Sequence, residues 1–145
     1  MDDTLIHMLR FAAKGYACSQ IMVLLALDKC KLSNPGLVRA MAGLAYGCGN
    51  GAATCGILTG ACCVIGYFAG KGADEEQGNE NLILMLEEVN EWFQNDFGAR
   101  YGGITCQAIV GESGPQASRS TCANILSATY SRTVKILSDH GILVQ

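Results

Sequence analysis

Between Arg39 and Lys71 the chain carries no charged residue. So long an uncharged stretch either spans a membrane or is closed inside a folded core. A spanning helix needs about 20 consecutive, predominantly apolar residues. Here the glycine-rich polar segment YGCGNGAAT (Tyr46 to Thr54) splits the run, and the remainder, Cys55 to Gly70, is too short. The stretch therefore reads as a buried core helix, with no membrane span. Composition agrees: half of the 145 residues are apolar and only 16% are charged, below the roughly 25% usual for soluble domains. Much surface must be hidden by packing or association, and a homodimer fits this as well as a crowded monomer core.

The remaining periodicities are helical. Leu5, Met8, Leu9 and Ala12 form one face of a helix over Thr4 to Lys14, and after Gly15 the segment CSQIMVLLALDKC (Cys18 to Cys30) is a second, more hydrophobic and central one. Asn34 before Pro35 is a helix-start signal, opening a short helix through Leu37, Val38, Met41 and Leu44 that Gly47, Gly49 and Gly51 end. Thr54 is placed to cap the uncharged helix, which Gly70, Lys71 and Gly72 close. ADEEQGNE is an exposed acidic connector. Beyond it, Leu82, Met85, Leu86, Val89, Phe93 and Phe97 share one face and Glu80, Glu87, Glu88 and Glu91 the other, as an amphipathic surface helix requires. Thr105 caps a short turn, ITCQAIVG, and a last helix runs from about Ala117 to His140. Strand signal is confined to the final GILVQ. The prediction is an all-α fold: residues 1–145 as a single cysteine-rich domain, a compact bundle of six or seven helices.

Net charge of −3 leaves no basic stripe for nucleic acid. Asp2 and Asp3 stand where an export signal would be positive, so the expected location is cytoplasmic. In a reducing compartment eight cysteines point to metal binding, redox chemistry or burial rather than a disulfide scaffold. No C-x-x-C of thioredoxin type and no C-x-x-C-H haem motif occurs. Short Cys/His zinc spacings, a serine-hydrolase elbow, a P-loop and a dinucleotide fingerprint are also absent. His7 and His140 read as surface histidines.

Position along the helices sorts the cysteines. Cys18, Cys55, Cys106 and Cys122 each fall in or near the first turn of a predicted helix. Unpaired amides and the helix dipole there favour the thiolate, which is both nucleophile and metal ligand. Cys30 ends a helix, and Cys62 and Cys63 lie mid-helix, where packing explains them. Cys48 stands in the glycine loop as a candidate resolving thiol or additional ligand. Gly56 and Gly60, four apart like Gly66 and Gly70, mark a groove open to a neighbouring helix or a cofactor, since interior glycines cost roughly 1 kcal/mol each.

These residues carry a resemblance. CSQIMVLLAL from Cys18, GNGAATCGILTG around Cys55, Cys106 after FGARYGGIT, and Cys122 opening the last helix resemble, in order and spacing, the C-GCAxxG-C-C family of putative redox-active proteins. Ile57 stands where the motif has alanine. The resemblance implies a small all-helical protein with a redox role and supplies no substrate. Related domains resemble part of some multihaem cytochromes, but without the attachment motif no haem carries over.

Three functions follow from the residues. In the first, two or more of Cys18, Cys55, Cys106 and Cys122 converge as catalytic thiols, cycle between dithiol and disulfide and exchange electrons with a redox partner protein, needing no cofactor. In the second, the same four bind zinc or an iron–sulfur cluster by four-cysteine ligation. In the third, the chain is a structural or interaction module whose cysteines simply pack. Where a cofactor is bound, Gly56, Gly60 and Cys48 are the expected cofactor-binding residues.

Overall fold

The structure, a computed structural model, describes residues 3–114 and 119–145. Among the described residues, seven α-helices of five or more residues carry the fold. They are α1 (Asp3–Ala13), α2 (Cys18–Lys29), α3 (Pro35–Met41), α4 (Gly56–Ala69), α5 (Leu82–Phe93), α6 (Cys106–Val110) and α7 (Arg119–Asp139). The all-α prediction holds. The expected start of the last helix at Ala117 lies outside the described residues. Among those described there is no strand, only an isolated antiparallel bridge between Thr54 and Thr105. The expected strand character of GILVQ does not appear: Ile142 to Gln145 is irregular, although Val144 is buried. No helix among the described residues is long and apolar enough to cross a membrane.

The helices start where local chemistry directs. The Asn34 side chain accepts from the Leu37 amide at 3.1 Å, with Pro35 in the first turn of α3. Thr105 accepts from the Ala108 amide at 3.0 Å at the head of α6. Thr54 is different: the residue at the head of α4 is Cys55, and Thr54 instead joins the bridge to Thr105. The bridge is extended by hydrogen bonds from the Cys55 amide to the Ile104 carbonyl (2.7 Å) and from the Cys106 amide to the Ala53 carbonyl (3.1 Å). Two cysteines distant in sequence thus follow directly from paired backbone.

One core holds the bundle together, and α2 packed on α4 is its centre. Met22, Ile57, Ala61, Val64 and Ile65 are fully or almost fully buried between or beside them. Glycine makes the approach close. A Cβ at Gly60 would sit 2.9 Å from Met22 Cβ, and one at Gly56 2.9 Å from the Leu44 carbonyl oxygen and 3.1 Å from Cys18 Sγ. At Gly60 the groove is therefore occupied by α2. Gly66 does not continue it, since nothing lies within 4 Å of where its Cβ would be. The Ser19 hydroxyl, fully buried at this junction, donates to the Met41 carbonyl at 2.8 Å. On the far side of α4, Met85, Val89, Phe93 and Phe97 bury the predicted face of α5, which continues through a π-turn over Gln94–Gly98. His140 is not an idle surface residue: its ring nitrogen meets Glu88 at 3.0 Å and ties α7 to α5.

Between α3 and α4 the backbone turns left-handed for three successive residues, Tyr46 (φ 56°), Gly47 (φ 60°) and Cys48 (φ 60°). For the two that are not glycine this costs roughly 1–2 kcal/mol each. Offsetting hydrogen bonds run from Gly49 N to Ala45 O (2.8 Å) and from Gly51 N to Tyr46 O (2.9 Å). Gly47 has no substitute here, because a Cβ would fall 2.6 Å from the Ala53 carbonyl oxygen and 2.9 Å from Cys106 Cβ.

Candidate functional site

Cys18, Cys55, Cys106 and Cys122 all line one cavity of about 260 Å³. Four elements deliver them. Cys18 is the first residue of α2, Cys55 stands at the head of α4, Cys106 opens α6, and Cys122 lies on the first described turn of α7. The left-handed turn is the fifth contributor, since it sets Gly47 against Cys106 and directs the Tyr46 amide at the Cys18 sulfur. All eight cysteines of the chain are free thiols.

The walls between the sulfurs are hydrocarbon: Met8, Ile21, Ile57, Ile109 and Leu126. Arg119 is the one charged lining residue among those described, and it is exposed. Such surroundings reverse one expectation. The helix starts were to favour thiolates, but burial pushes the Cys18 thiol up to about 11 and the Cys55 thiol up to about 12. Amides still act in the anticipated direction: those of Tyr46 and Ser19 at Cys18, and of Ile57 and Leu58 at Cys55, favour the anion. At Cys55 they face the sulfur without completing a capping hydrogen bond. Loss of water outweighs them. Cys122 and Cys106 are likewise raised by burial, and Cys122 further by the charge of Cys106. Cys122 in turn raises Cys18 and Cys55, so the four sulfurs lie within electrostatic reach of one another.

Other candidates fall elsewhere. Gly56 lines the cavity, whereas Gly60 faces Met22 and is not among the lining residues. Cys48 is exposed and also outside the lining. Cys30, Cys62 and Cys63 pack against the core, and the Asn90 side chain donates to Cys62 Sγ at 3.4 Å. Larger hollows of about 450 and 430 Å³ contain no cysteine. No group of three or more His, Cys, Asp or Glu side chains among the described residues is set to hold a metal ion. The four sulfurs are gathered, but not as a preformed ligand set.

Sequence reasoning missed Tyr16, Tyr46 and Arg119 as lining residues. A signal existed only for Tyr46, which stands at the edge of the glycine loop. The resemblance can now be judged over the whole chain: residues 16–136 match the family described as putative redox-active protein (C_GCAxxG_C_C). The chain belongs to this family. The matched span begins just before Cys18 and ends beyond Cys122, so the C_GCAxxG_C_C match includes every cysteine of the cavity. No curated protein and no solved structure matches the chain.

Proposed function

We propose that the protein is a thiol redox protein whose working groups are Cys18, Cys55, Cys106 and Cys122. The observation that carries this reading is their convergence, from four separate elements, on one apolar cavity; the family description supports it. In the reaction two cavity thiols lose two protons and two electrons and form an S–S bond. An acceptor takes the electrons, and a dithiol partner protein returns them by exchange through a mixed disulfide. Cys122 and Cys18, only partly buried, are the pair such a partner reaches. Cys55 and Cys106 lie deeper and complete the pair on the inner side.

The test is a thiol count with mass-spectrometric mapping, before and after mild oxidation, on protein purified without oxygen. Disulfides confined to the four cavity cysteines and reversed by dithiothreitol are the expected result. Pairing of Cys30, Cys62 or Cys63 instead, or no pairing at all, rejects the proposal. Stoichiometric iron or zinc that shields the four thiols from alkylation assigns the cavity to metal binding.

A further inference from the structure

The four-cysteine cavity restricts what can reach its sulfurs. Cys55 and Cys106 are only 5% and 7% exposed, so the disulfide of a folded protein cannot be laid against them. A small molecule inside the cavity can. The volume, about 260 Å³, lies just below the roughly 300 Å³ at which pockets for drug-sized ligands begin. That is room for a single ring and not for a flavin or a haem.

The walls narrow the chemistry as well. Met8, Ile21, Ile57, Ile109 and Leu126 offer no compensation for charge, and Arg119 is exposed. A step that leaves an ion behind in such a space is penalised by lost solvation. An acceptor that takes electrons alone creates that penalty, whereas one that takes two electrons together with two protons avoids it.

We propose that the acceptor for the cavity thiols is a small, neutral, apolar quinone bound among Cys18, Cys55, Cys106 and Cys122, a proposal that rests on the thiol redox reading above. One sulfur adds to a carbonyl carbon of the quinone, and its proton passes to that carbonyl's oxygen. The second sulfur then attacks the first: the S–S bond forms, the C–S bond breaks, and its electron pair enters the ring. The second thiol's proton goes to the other oxygen. Two thiols have been oxidised to a disulfide, the quinone has been reduced to a hydroquinone, and no net charge has been created. Ile57, fully buried beside the Cys55–Gly56 corner and lining the cavity, sets the size of ring admitted.

The experiment uses the reduced full-length protein without oxygen and duroquinone as the probe, whose methyl groups block addition at the ring carbons. Quinol absorbance is followed alongside thiol loss. The expected result is one quinol per two cavity thiols lost, at a rate roughly tenfold or more above ferricyanide. The Cys122→Ser and Cys18→Ser proteins are expected to be slow. 2,3-Dimethyl-1,4-naphthoquinone, equally blocked at its quinone carbons but enlarged by a fused ring, is expected to be a poor acceptor for the native protein and to improve severalfold in Ile57→Val. Ferricyanide or cumene hydroperoxide acting as fast as duroquinone overturns the proposal, as does quinol formation that persists in the cysteine variants. Diamide separates the two levels of inference. Cavity thiols that pair with diamide but not with quinone refute the quinone and leave thiol exchange standing, while thiols that pair with neither refute both.

Discussion

At Cys55 the Ile57 and Leu58 amides favour a thiolate, and the apolar surroundings oppose it more strongly. The cavity sulfurs are therefore held as S–H groups. Alkylation by iodoacetamide, followed residue by residue by mass spectrometry, should proceed at Cys48, which is exposed, long before it does at Cys55. Cys55 should gain reactivity only as pH climbs towards about 12. Rapid modification of Cys55 at neutral pH would contradict the burial argument. The sequence was a good guide to which cysteines meet and a poor guide to their protonation. Position at a helix start is visible in the residue order, since it needs only the caps and breakers around it. The desolvation that outweighs it comes from Met8, Ile21, Ile109 and Leu126, which arrive from other parts of the chain.

Two glycines of one helix make opposite predictions. In α4, Gly60→Ala would press its methyl to 2.9 Å from Met22 Cβ and 3.2 Å from the Ser19 carbonyl oxygen. Overpacking of this kind costs about 1–3 kcal/mol. Gly66→Ala meets nothing within 4 Å and should stabilise by up to about 1 kcal/mol through helix propensity. Urea unfolding of both variants checks the pair, and equal midpoints would argue against close α2–α4 contact at Gly60. The spacing of small residues alone could not separate these cases, because Gly56, Gly60, Gly66 and Gly70 look alike until α2 is laid across two of them. The elements themselves were legible wherever a cap or breaker stood at the boundary, as at Asn34 and Pro35. Where pairing at a distance intervened, as at Thr54, the boundary moved by one residue.

For the whole molecule the buried thiols make stability depend on alkaline pH. Their ordinary value is 9.0, and in the fold Cys18 and Cys55 titrate near about 11 and about 12. Below pH 9 both folded and unfolded chains keep these protons, and the contribution is constant. Between about 9 and about 12 the unfolded chain has released them and the folded chain has not, so it binds fewer protons and stability falls as pH rises. Unfolding midpoints at pH 8 and pH 10.5 should differ less in a Cys18→Ser, Cys55→Ser double variant than in the native chain; the same pH dependence in both would remove these thiols as its cause.

The bridge between Thr54 and Thr105 also has a temporal meaning. It joins points 51 residues apart, and a loop of that length closes later than local contacts because its entropy must be surrendered before the contact returns anything. Cys55 and Cys106 take their places only when it closes, so until then the thiols that will share a cavity are distant, while neighbours such as Cys62 and Cys63 are not. An oxidant met during synthesis would join the wrong sulfurs. If the four cavity sulfurs are to meet as thiols, the nascent chain has to stay reduced until that late contact has closed.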